Sequence, residues 1–137
     1  VSYSLSVYKF ANGGPVPPDP AVVRQILAPH VVAPERAVQE EGGEFWIRAA
    51  DGSEVEIDVS DVVIGVHRPQ VGDVWEIIME LADKAGGVVL VPNGILLCRD
   101  DVRPHLPEGM AKDARFVPRI TLAAFEEVAG PFDHPLT

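Results

Sequence analysis

The strictest constraint on this chain is a two-residue alternation on either side of Asp51-Gly52. Before the turn, Phe45, Ile47 and Ala49 alternate with Glu44, Trp46 and Arg48; after it, Val55, Ile57 and Val59 alternate with Glu54, Glu56 and Asp58. Period two is the period of a strand, and it sends the apolar set to one face and the polar set to the other. Two such strands this close in sequence predict a hairpin over Glu44–Val59. The loop length follows from the faces. A two-residue Asp51-Gly52 turn would set position 47 opposite 56 and 45 opposite 58, with apolar side chains beside carboxylates. A three-residue loop, Ala50-Asp51-Gly52, sets Ile47 opposite Val55 and Phe45 opposite Ile57, and gives Gly52 the left-handed position such loops require. The alternation therefore selects the three-residue loop, in which Arg48 faces Glu54.

The remaining elements arrange themselves around this hairpin. Ser2 to Phe10 reads as a strand with Leu5 and Val7 on one face, and Ala11 to Pro18 as a Gly/Pro loop. Asp19-Pro20 opens a helix carrying Val22, Val23, Ile26 and Leu27, which stops before Pro29. His30 to Gly43 is loop with a short strand at Val31 and Val32. A tight turn at Ser60-Asp61 leads to a strand over Val62–His67. Asp73 with Glu76 three positions on forms a capping box. The stripe Val74, Ile77, Ile78, Leu81, Ala82 and Ala85 makes the next segment the strongest helix, ended by Gly86-Gly87. Val88–Val91 and Ile95–Cys98, apolar on both faces, flank Pro92-Asn93-Gly94 as central strands covered above and below. Arg99 to Asp113 is irregular with one helical turn after Pro107, Ala114–Val117 is an edge strand, and Thr121 caps a last helix ended by Gly130-Pro131.

The expected fold class is α+β. A mostly antiparallel sheet, in the order β-α-β-β-β-α-β-β-(β)-α, has helices packed on it. One domain covers residues 1–131, with a loose tail over 132–137. A chain of 137 residues with 47% apolar content can build such a core without metals or disulfides. Cys98 is the one cysteine, and Val1 to Phe10 lacks the pattern of a signal peptide. Both point to a reducing, cytoplasmic setting. The formal net charge of −10 argues against nucleic acid and anionic membranes as partners and favours a basic protein.

That charge is not spread evenly: residues 35–61 alone sum to −7. Glu54, Glu56 and Asp58 share one strand face with Trp46 across the hairpin. They form either a solvated face kept acidic for solubility or an acidic docking surface with an aromatic anchor. Strand-spaced carboxylates do not converge as a calcium loop does. Cys98 ends an apolar strand, where cysteine packs as a small hydrophobe; the alternative is a pocket in which it meets His67 and His105. Zinc spacing is missing, and the glycines form neither a phosphate loop nor a dinucleotide fingerprint, so no metal, cofactor or catalytic residue is expected. His67-Arg68-Pro69 offers either an exposed loop arginine or an anion holder. Trp75 and Met79 flank the helix stripe as core residues, or as the contact of a homodimer.

The stretch Asp73 to Pro92 (DVWEIIMELADKAGGVVLVP), with Arg103 to Gly109 (RPHLPEG) after it, resembles small uncharacterised proteins of high-GC bacteria. Their shape, a small acidic α+β domain, is similar to that of immunity proteins that neutralise polymorphic toxins. The resemblance covers about half the chain and brings no catalytic residues with it. By itself it assigns no activity; the charge of residues 35–61 leads to the expectation of a non-enzymatic binding module, plausibly of immunity type, that docks a basic partner through Trp46, Glu54, Glu56 and Asp58.

Overall fold

A computed structural model describes residues 4–33, 43–90, 94 and 96–129. The strands are β1 (Ser4–Ala11), β2 (Gly14–Val16), β3 (Val31–Ala33), β4 (Gly43–Arg48), β5 (Glu54–Ser60), β6 (Val63–His67), β7 (Val88–Leu90), β8 (Leu96–Arg99) and β9 (Ala114–Val117). The helices are α1 (Pro20–Leu27), α2 (Val74–Lys84) and α3 (Leu122–Ala129). Among the described residues these strands form one sheet in the order β3-β4-β5-β6-β1-β7-β8-β9, with β2 paired to β1. Every pairing is antiparallel except β8 with β9. The expected α+β class, mostly antiparallel with helices packed on the sheet, is the class observed. Among the described residues no helix is long and apolar enough to cross a membrane.

The hairpin register is the one the alternation selects. Ile47 pairs with Val55, Phe45 with Ile57 and Arg48 with Glu54, and Gly52 sits at φ +90°. One short strand extends the predicted set. The Gly/Pro loop expected over 11–18 contains β2. Asn12 and Gly13, both at positive φ, close a two-residue hairpin that pairs Ala11 with Gly14. The short strand expected at Val31 and Val32 is β3, at the sheet edge against β4. Residues 1–3, 34–42, 91–93, 95 and 130–137 lie outside the described residues, and with them the expected turn residues Pro92 and Asn93, the expected helix stop Gly130-Pro131 and the expected loose tail over 132–137.

The registers fix two faces. Phe45, Ile57, Val66 and Leu5 form one lateral row, and Val59, Ile64, Val7, Val89 and Leu97 a second. These rows pack against Val23 and Leu27 of α1, Val74, Trp75, Ile78 and Leu81 of α2, and Phe125 of α3. Trp75 and Met79 are fully buried here, Trp75 against Phe125 at 5.2 Å between ring centres. They are core residues, and neither is exposed for a contact between copies. Among the described residues, the opposite face is covered at its β8 end. There the 3-10 turn over Asp100–His105 and the chain after it lay Val102 and Leu106 on Val88, Leu96 and Cys98.

One expectation about α2 is corrected. Asp73 makes no side-chain cap; its backbone, at φ −65° and ψ −16°, is already helical. The cap comes from the β4–β5 loop instead. The Asp51 carboxylate accepts from the Asp73 amide at 2.9 Å, and the Ser53 hydroxyl accepts from the Val74 amide at 3.0 Å while donating to Asp51 at 2.6 Å. Gly72, at φ +147°, lies against both; a Cβ there would collide with the Asp51 carboxylate and the Ser53 side chain. The C-terminal stop is as expected: Gly86 N–H donates to the Asp83 carbonyl and Gly87 N–H to that of Ala82, the paired bonds of a Schellman end.

Candidate functional site

Alternation places Glu44, Trp46 and Arg48 of β4 and Glu54, Glu56 and Asp58 of β5 on the face opposite α1, α2 and α3. The structure brings the predicted docking residues together there. Trp46 is 41% exposed, and its indole Nε1 donates to Glu54 Oε1 at 3.0 Å. A cleft of about 180 Å³ opens beside it, lined by Trp46, Glu54, Glu56, His67, Arg68 and Gln70.

The electrostatics differ from those of a bare acidic face. Each of the three carboxylates has a basic neighbour: Glu54 with Arg48 at 2.6 Å, Glu56 with Arg68 at 3.3 Å and Asp58 with His67 at 3.2 Å. Sequence reasoning found only Arg48. Arg68 and His67 belong to β6 and its exit, and reach β5 because Glu56 and His67 are register partners. The Arg48 hydrogen bond, with help from the Trp46 indole, holds the Glu54 carboxyl below the usual carboxylate range. Arg68 stands in the left-handed region at φ 52°, where a long side chain is uncommon. Gly65 lets the Asp58–His67 pair lie flat on the sheet; a Cβ at this position would overlap both the Asp58 carboxylate and His67 Nε2.

The alternative pocket residues do not converge. His67 is on β6 and Cys98 on β8, with β1 and β7 between them, a separation of roughly 14 Å at ~4.8 Å per strand. Cys98 is fully buried among Val88, Leu96, Val102 and Leu106, and burial pushes its thiol up to about 11. His105 serves the β1–β2 turn: its Nδ1 accepts from the Asn12 amide at 3.4 Å and its carbonyl from the Gly13 amide at 3.0 Å. Among the described residues no group of three His, Cys, Asp or Glu side chains is placed to hold a metal ion.

Two further polar features were not singled out by sequence. Asp83, 4% exposed, accepts from the Ile120 amide at 2.9 Å through its carboxylate, and its carbonyl accepts from Arg99 at 3.0 Å. Arg99 also forks onto Asp101 at 3.0 and 2.8 Å, which holds the Asp101 carboxyl below its ordinary range. This set ties α2 to β8 and to the entry of α3; its short bonds are all internal, so its chemistry is structural. A groove of about 720 Å³ follows the outer ridge of α2 and mixes Glu76 and Glu80 with Lys84 and Arg119. Arg103 is stacked 4.0 Å over the Phe116 ring.

The chain matches no protein-family model, no curated protein and no solved structure.

Proposed function

We propose that this chain is a non-enzymatic binding module, of the immunity type, that docks a basic protein on the open face of its sheet. The observation that carries the reading is the exposed Trp46 ring standing beside the cleft that Glu54 and Glu56 line. A lysine or arginine side chain entering that cleft finds an aromatic surface and carboxylates together, an arrangement that attracts a cation by both its charge and the ring quadrupole.

The internal pairs make this surface exchangeable. Arg48 and Arg68 are exposed, and exposed ion pairs contribute ~0–1 kcal/mol each. A partner's guanidinium can therefore replace them at small cost, while in the free protein they keep like charges from repelling across the hairpin.

The test uses a Glu54→Lys/Glu56→Lys variant. A basic protein captured on the wild-type chain is purified and titrated against both forms at several salt concentrations. The reading expects affinity to fall by an order of magnitude or more in the variant, with a flatter salt dependence. Equal affinity and equal salt dependence for the two forms would remove the acidic hairpin from the interface.

A further inference from the structure

The open face carries a second concavity at its other end. Tyr8, Phe10, Val88, Leu90, Leu96 and Met110 line an apolar cleft of about 240 Å³. Tyr8 and Phe10 stack at 6.1 Å between ring centres, and Leu90 is 39% exposed. It lies on the same face as Trp46, because register partners share a side of the sheet: Glu44, Asp58, Gly65, Ser6, Leu90 and Leu96 form one continuous lateral row. The neighbouring row runs Trp46, Glu56, His67, Ser4.

Read across the strands, the first row is acidic at one end, low in the middle and apolar at the other end, and the second runs from Trp46 and Glu56 through His67 to Ser4. The middle is low because its positions are Gly65, Ser6 and Ser4, and because the Asp58–His67 pair lies flat over Gly65. Among the described residues, the positions of these rows on β1 and β6 are Ser4, Ser6, Gly65 and His67.

We propose that the two clefts are halves of one docking surface, read by a single polypeptide segment that crosses the strands. The segment carries an arginine or lysine for the Trp46 cleft and a leucine or aromatic residue for the Tyr8–Leu90 cleft. From β5 to β7 is three strand spacings, roughly 14 Å. The clefts are also offset along the strands, from the Ser4 row to between the Ser6 and Tyr8 rows, by roughly 10 Å, so the two anchors stand roughly 17 Å apart, roughly eleven residues in a helix or roughly five in an extended chain. Charge selects the occupant: a nucleic acid would meet Glu44, Glu54, Glu56 and Asp58 with its phosphates, and a second copy of this acidic chain would bring its own carboxylates to them. A basic segment with one apolar anchor complements both ends. The inference rests on the docking reading above and adds to it the partner's second anchor and the spacing.

A displayed library of random 16-residue peptides, selected on the wild-type chain and rescreened on Trp46→Ala, Leu90→Asp and Leu90→Ser, tests it. The expected peptides carry a basic and an apolar residue at one of the two spacings and lose at least tenfold in affinity on each variant. Leu90→Asp adds a negative charge that favours a basic peptide, so a loss there reads the apolar contact; Leu90→Ser checks it without charge. Peptides that need Trp46, are purely basic and bind both Leu90 variants like the wild type overturn the bipartite surface and leave the acidic cleft standing. Peptides that need Leu90 and ignore Trp46 overturn both readings, as does a library from which no peptide depends on either residue.

Discussion

A thiol set into an apolar ladder loses its chemistry to its surroundings. Cys98 is fully buried between β7 and β9, and desolvation pushes its thiol up to about 11. At pH 8 that leaves about one thiolate in a thousand, and the thiolate is the nucleophile. Iodoacetamide at pH 8 should leave the native protein unmodified over hours and alkylate it within minutes in strong denaturant. Rapid alkylation of the native chain would return Cys98 to the list of reactive groups. The placement of Cys98 was legible because it ends the apolar run Ile95-Leu96-Leu97. Asp83 was not: on a helix whose stripe reads Val74 to Ala85, an aspartate at its edge looks solvated. Its burial comes from Arg99 and the Ile120 amide, residues distant in sequence that no local pattern joins to it.

At the scale of elements, α2 shows where local reading ends. The Asp73–Glu76 spacing suggests self-capping, yet the cap arrives from a loop about twenty residues upstream. The sequence specified both elements and the hairpin register but not their junction, because the junction depends on how the hairpin leans on the helix. Replacing the buried Ser53 hydroxyl leaves the Val74 amide without its acceptor and removes one of the two donors to Asp51 Oδ1, the Ser53 amide remaining, so Ser53→Ala should cost about 1–2 kcal/mol in urea unfolding. Asp73→Ala should leave the midpoint unchanged. The reverse ranking would restore the local cap. Asp51 adds a pH dependence. The Ser53 hydroxyl, followed by the Asp73 amide, lowers its pKa below 3.8 in the folded state. A depressed carboxyl binds fewer protons when folded, so its stabilisation is full above the unfolded value and is lost as pH falls through the folded one. Stability should therefore decline below about pH 4, and Asp51→Asn should flatten that acid limb. An acid limb of unchanged slope in Asp51→Asn would exclude this carboxylate as its source.

For the whole molecule, the sheet divides labour between its faces. Alternation made that division readable along β1, β4 and β5. It could not show which carboxylates find a partner, since Arg68 and His67 meet them only through the β5–β6 register. The helix face holds the core, and the open face is free to vary if folding does not depend on it. Adjacent residues of β4 give the sharpest comparison. Ile47 is fully buried and Trp46 is 41% exposed, although Trp46 is the larger side chain. Ile47→Ala should cost about 2–5 kcal/mol, the transfer and cavity cost of a core truncation, whereas Trp46→Ala should cost about 1 kcal/mol or less. Urea unfolding of both variants measures this directly. A large loss for Trp46→Ala would make the indole and its bond to Glu54 part of what holds the hairpin together, and the open face would then be a second core surface. A small loss means that stability and docking belong to opposite faces. Weakened binding in Trp46, Leu90 or Glu54/Glu56 variants could then be read as loss of contact and not as loss of fold.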